Sequence, residues 1–273
     1  MVLEEKGAYM KKLIITLFVF FIAVIQDINA QVIVLDGHYQ GRDIYVQNPF
    51  SASGVGFCVY EVRVNGLAST DEINSSAFAV DLALHDLNIG DEIIIQIAHK
   101  EGCDPIVINP EVLKPLSTFK IVDIMVSDKG LLKWVTKDES GKLPFVIEQF
   151  RWNKWVKVGE VEGKGTSTDN DYQFKVTPSS GANKVRVKQV DSTAKPRYSK
   201  TVQFQSRIPS VTFSPVKVKK EISFSRETLY EIYNMYGNMV AKGFASKIDV
   251  SNLEKGKYYL NYDSSFGESF EKK

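Results

Sequence analysis

Apolar and polar residues alternate along most of this chain with the two-residue period of half-buried β-strands. Residues 57–64 alternate and stop at Asn65-Gly66, a strong hairpin turn. Residues 77–84 and 92–98 repeat the pattern, their branched side chains suited to a pleated surface. Segments 119–126, 130–136, 145–150, 155–159, 171–176, 184–191 and 200–204 continue it, and turn residues separate them. Segments 221–224, 229–233, 239–242, 246–249 and 257–262 form a last, shorter series. The pattern within 80–87 fits helix or strand equally, and no long helical period occurs after residue 30. The prediction is an all-β chain, a tandem of three small antiparallel β-sandwiches.

One stretch breaks the alternation. Lys11 and Lys12 precede an unbroken apolar run over 13–25, followed by Gln26-Asp-Ile-Asn-Ala30. The run is shorter than the ~20 apolar residues a membrane span needs. A basic start, a short apolar stretch and a small residue at its end describe a signal peptide cleaved between Ala30 and Gln31. No cysteine stands at that point to take a lipid, and Met10 offers an alternative start.

Charge divides the remainder. Residues 31–116 hold 12 acids and 4 bases, residues 117–206 hold 10 and 16, and residues 207–273 hold 8 and 11. The domain boundaries are therefore placed at 1–30, 31–116, 117–206 and 207–273, with Arg207-Ile-Pro-Ser210 as the last linker. Acidic and basic regions of this kind either dock on one another or on partners, or are solvated surfaces of unequal charge. The overall net charge of +1 argues against a nucleic-acid partner.

The chain has two cysteines, Cys58 and Cys103, both in the acidic region. An exported protein matures in an oxidising compartment, and two cysteines allow one pairing. A disulfide between them is expected, closing a loop of roughly 45 residues and stabilising by about 3–4 kcal/mol. Metal and catalytic candidates are sparse. His99 with Cys103 lacks a paired-ligand motif, Thr168-Asp-Asn-Asp171 lacks a loop-closing glutamate, and Gly54-Val-Gly56 lacks the lysine and helix of a phosphate loop. His38, His85 and His99 are the only imidazole bases, and none lies in a recognisable catalytic motif. Asp36, Asp43 and Asp91 offer carboxylate pairs, but an acidic region makes chance pairs common. The expectation is a non-enzyme with no cofactor and no metal.

The end of the chain carries the most specific pattern. Residues 229–237 read Leu-Tyr-Glu-Ile-Tyr-Asn-Met-Tyr-Gly, 248–256 read Ile-Asp-Val-Ser-Asn-Leu-Glu-Lys-Gly, and the chain closes on Lys272-Lys273. Gly237 after the Ile-Tyr strand, Asp249 and Leu253 before Gly256, and the basic terminus make 207–273 resemble the C-terminal sorting domain of the type IX secretion system of Bacteroidetes. That resemblance implies passage through the periplasm to the outer-membrane surface or beyond, with the secretion machinery as partner. It also implies surface polysaccharide or another surface protein as a further partner. One departure stands out: such domains usually open with a Tyr-Pro-Asn-Pro-like segment, and this chain has Phe213-Ser-Pro-Val216.

The middle region resembles the fibronectin type III-like module that often precedes sorting domains, on Lys133-Trp134-Val-Thr136, Phe145-Val-Ile-Glu148, Trp155 and Val187-Lys-Gln-Val-Asp191. Trp134 is the expected core tryptophan, while Trp152 and Trp155 flank a hairpin tip where one of them is exposed. The first region, on Asp43–Phe50, Gly54–Cys58, Asp71–Phe78, His99–Cys103 and Asn109–Leu113, resembles a domain of PorA-type accessory proteins of the same system. Those segments are rich in turn residues and equally read as fold-determining loops. Two functions follow from these resemblances: surface cargo that binds protein or glycan, and an accessory of the secretion apparatus.

Overall fold

A computed structural model of the chain describes residues 31–51 and 54–273. The leader segment, Ala30 included, lies outside the described residues; Gln31 opens the first strand. The chain divides into two compact units. One holds the described residues up to Leu35 with Ile44–Asp81 and Ile94–Asn109, and the other holds Asp36–Asp43, Leu82–Ile93 and Pro110–Lys273.

The first strands are β1 (Gln31–His38), β2 (Ile44–Gln47), β3 (Val59–Val64), β4 (Leu67–Ala68), β5 (Ala77–Val80), β6 (Glu92–His99) and β7 (Ile106–Val107). They form two sheets, ordered β1-β6-β3-β4 and β5-β2-β7. The ambiguous stretch after Val80 resolves into a strand that stops there and a single 3-10 turn at Leu82–His85. The expected disulfide is present: Cys58 and Cys103 are bonded, with their Cα atoms 5.7 Å apart and both side chains buried. It ties the residue before β3 to the loop after β6, and Val59 and His99 pair directly beside it. Turn residues of the resembling segments hold this unit's backbone. Fully buried Asn48 accepts from the Val59 amide (2.9 Å) and donates to the Ile73 carbonyl (2.9 Å). Asp71 accepts from the Asp81 amide (3.1 Å) and Asn109 from the Tyr45 amide (2.8 Å).

The second unit contains β8 (Lys120–Val126), β9 (Leu131–Lys137), β10 (Phe145–Arg151), β11 (Lys154–Val161), β12 (Asn170–Lys175), β13 (Gly181–Val190), β14 (Pro196–Tyr198) and β15 (Val202–Ser206). A β12-β9-β8 sheet faces a five-stranded sheet of β11, β10, β13, β14 and β15. Leu132, Trp134 and Tyr172 from one sheet and Phe145, Ile147, Val185, Val187 and Phe204 from the other share one buried core, so this is a sandwich. Each such side chain contributes roughly 1.5–3 kcal/mol by burial. Trp134 is its central tryptophan, stacked on Tyr172 at 5.2 Å.

The final strands are β16 (Phe213–Ser214), β17 (Lys217–Val218), β18 (Glu221–Asn234), β19 (Met239–Asp249), β20 (Gly256–Tyr262) and β21 (Ser265–Lys272). They make one six-stranded sheet around its own core of Val218, Ile222, Ile232, Ile248, Leu260 and Phe270. Pairing from β8 onward is antiparallel except β17 with β21, which run parallel. The sequence suggests two strands in 221–233 and two in 239–249, whereas each pair is one long strand. A register shift between Ser223 and Thr228 absorbs the polar break, and β18 pairs with β16 before it and with β20 after it.

Candidate functional site

Two clusters on the last module carry the residues of interest, one at each end of the β20–β21 hairpin. At the open end lie the signal residues read from the sequence. Gly237 closes the turn between β18 and β19 with φ +81°, and a Cβ there would meet nothing within 4 Å, so backbone handedness alone selects glycine. Asn234 builds that turn by accepting the Tyr236 and Asn238 amides, each at 3.0 Å. Gly256 (φ +150°) starts β20 opposite Lys272, which is also the register partner of Val218. Asp249 accepts the Ser251 amide at 2.8 Å, and the Ser251 hydroxyl and amide hold its carboxyl below the ordinary aspartate value. Val250 donates to the Lys220 carbonyl (2.7 Å), and Leu253 packs half-buried on the core.

The structure thus gathers Asp249, Leu253, Gly256, Lys272 and Lys273 along one edge. Gly237 projects from the same end, because Asn234 pairs with Tyr258 and Tyr258 with Phe270. Val216, Lys217, Gly256, Lys257, Ser269, Phe270 and Glu271 line an open groove of about 320 Å³ there. Lys217, Lys219, Lys220, Lys255, Lys257 and Lys273 are exposed around it. The basic terminus is not uniform. Lys273 is exposed and ion-paired with Glu271, whereas Lys272 shares the inward face of β21 with Phe270 and is only 8% exposed.

At the other end of the hairpin a second cluster fastens the module to the preceding sandwich. Sequence reasoning passes over it. Asp263, in the β20–β21 turn, takes a left-handed φ of +45° and is 2% exposed. Its carboxylate accepts the Ser180 amide (2.9 Å) and hydroxyl, the Val211 amide (3.1 Å) and Arg226 Nη2 (3.0 Å). Burial pushes that carboxyl up, but these donors outweigh it and hold it below its ordinary value. Its own amide donates to Thr228 Oγ1, and its carbonyl accepts from Arg151 Nη1 (3.3 Å). Arg151 also donates to Gln149 Oε1 (2.7 Å) and the Thr177 carbonyl (2.9 Å). Burial brings Arg151 down to about 10, against the pull of Asp263, which leaves it charged at neutral pH.

Beside it, Lys154 Nζ lies 2.8 Å from both Glu231 Oε2 and the Tyr233 hydroxyl. Burial lowers the Lys154 pKa, yet these two partners raise it overall. Trp152, between Arg151 and Lys154, is buried and Trp155 is half-buried, so neither of the flanking pair is exposed as the sequence suggested; both pack. The Trp155 ring lies 4.0 Å from the Arg186 guanidinium, which sits at the same distance from Tyr198. No sequence pattern links Ser180 to Asp263. The available signal was two short polar turns, Ser179-Ser180-Gly181 and Asp263-Ser264-Ser265, each following a strand or loop whose neighbours are apolar.

The remaining candidates stay apart. Asp91 accepts the Asn88 amide, Asp43 the Leu82 amide, and His38 Nε2 the Lys142 amide at 3.5 Å. Burial lowers the His38 pKa, with Glu92 opposing. Around Thr168-Asp-Asn-Asp171, the Asn170 side chain donates to the Thr166 and Thr168 carbonyls and closes a turn. Among the described residues no group of three or more His, Cys, Asp or Glu is placed to hold a metal.

Comparison with known proteins bears on the last module as a whole. A family model described as "Secretion system C-terminal sorting domain" matches residues 214–273. No curated protein matches the chain. Among solved structures, similarity is found to a tetra-tandem repeat in the extending region of a large adhesion protein, at TM-score 0.29 and 10% identity over 89% of this chain and 72% of that one. Fibronectin(III)-like modules of CbhA from Clostridium thermocellum align at 0.22 and 8% identity over 56% of this chain and 91% of that one. Dimeric latent PorU from Porphyromonas gingivalis aligns at 0.22 and 12% identity over 89% of this chain and 29% of that one. Residues 214–273 are a C-terminal sorting domain of the type IX secretion system, which implies a secreted, cargo-type protein bound for the cell surface or the extracellular space.

Proposed function

We propose that the protein is non-enzymatic surface cargo whose first two regions are binding sandwiches for a surface polysaccharide or another surface protein. It enters the periplasm by the leader cleaved between Ala30 and Gln31, and the sorting module then hands it to the outer-membrane machinery in a Bacteroidetes-type cell. The observation that carries this reading is the match over 214–273 together with an unobstructed lysine-rich edge around Gly256. Exposed lysines beside an open groove suit docking on an acidic partner. A second reading is favoured by the Asp263 cluster, which fixes the module to the body of the chain. There the protein is an accessory of the apparatus that keeps its tail, as PorA-type proteins do in the resemblance of the first region. Intact-mass measurement of the surface-exposed protein separates the two. Cargo loses its C-terminus near residues 205–215. A full-length surface species supports the accessory, and an intracellular full-length species alone contradicts both.

A further inference from the structure

The linker into the sorting module is tied down along its length. Ile208 N donates to Ser206 Oγ (3.3 Å), and the Pro209 carbonyl accepts from Arg226 (3.3 Å). Val211 N donates to Asp263 (3.1 Å), and Thr212 N to Ser225 Oγ (3.1 Å). Val211 itself is buried in the module core. Peptidases bind their substrates as extended strands and cut native proteins where a segment opens locally. A backbone fastened at four points over six residues cannot enter such a cleft while these bonds hold.

Asp263 stands at the centre of this arrangement. Its two carboxylate oxygens reach the preceding sandwich through Ser180, the linker through Val211, and the module through Arg226. Arg226 in turn grips the linker at Pro209. Arg151, from the end of β10, closes the other side by donating to the Asp263 carbonyl. One side chain therefore joins three parts of the chain.

We propose that Asp263 is a latch: seated against Ser180 and Arg151 it shelters linker 207–212 from peptidases, and release of the sorting module requires unseating it. Hydrolysis of the linker, with one water added across the cut peptide bond, follows the opening and does not cause it. The proposal rests on the reading of 214–273 as a sorting module, since only then does release matter. A partner that pulls on the module's free edge is then what makes the linker available.

The test is limited trypsin digestion of the purified full chain, following cleavage at the exposed Arg207 against the exposed Lys129 turn by mass spectrometry. Asp263→Asn and Ser180→Ala are compared with the unmodified chain. Hydrogen bonds to charged groups contribute about 1.5–3 kcal/mol each, so each variant should raise relative Arg207 cleavage by about tenfold or more. Near-UV circular dichroism should be unchanged. Equal Arg207 rates in all three folded chains overturn the latch. Should Asp263→Asn lose its folded signature, Ser180→Ala decides alone, because it leaves every bond inside the module in place. Digestion does not depend on export, so if the full chain resists trypsin as expected while a chain expressed only to Ser206 still reaches the surface, the latch stands and the sorting reading falls.

Discussion

The two ends of the β20–β21 hairpin are built from opposite materials. Seven residues of strand, roughly 20 Å, separate them. At the Asp263 end, buried charged and hydroxylic groups are bonded to partners supplied by the same chain, with Arg226 Nε left unpaired. At the Gly256 end, glycines set the turns, lysines stand in solvent and a groove lies open. Buried polar groups are costly unless satisfied, so the first end holds this molecule together. Exposed charges contribute little to stability, so the second end is free to be read by something else. On the proposed reading, one small module divides attachment from recognition along a single hairpin.

The largest effect should come from breaking the attached end. Asp263→Ala removes the carboxylate that accepts from Arg226, Ser180 and the Val211 amide, leaves these donors unpaired around a buried site, and should cost about 3–5 kcal/mol in urea unfolding of the full chain. A change under about 1 kcal/mol would mean the cluster is decorative. The same end should respond to acid. The Asp263 carboxyl lies below its ordinary 3.8 when folded, so its stabilisation is complete above that value and is lost as the pH falls through the lower folded value. The smallest effect on stability should come from the free end. Lys257→Ala with Lys273→Ala should stay within about 0.5 kcal/mol of the unmodified chain, because both are exposed. Export in a host with the secretion system should nevertheless fall. Undiminished export would move recognition away from the lysine edge.

The strands were largely legible because a sheet with one buried face forces alternation. In β6, Ile93, Ile95 and Ile97 are buried at every second position, as the pattern requires. The disulfide was legible because two cysteines leave one pairing. Lys272 was legible in principle, since it lies two residues from Phe270 and takes the same inward face of β21. The latch was not. Ser180 and Asp263 are 83 positions apart, Arg151 and Asp263 are 112 apart, and short polar turns look alike until the fold brings two of them together. Nor could periodicity show that the β18 and β19 segments fuse, because the Ser223–Thr228 irregularity removes its own residues from the count.

The most direct test of the central claim, that the last module is an address, is surface-protease accessibility of the full chain against one ending at Ser206, in a host possessing the type IX system. The account predicts that the full chain is digested from outside intact cells while the truncated chain is protected and retained in the periplasm. Equal surface exposure of the two would show that residues 207–273 carry no export information.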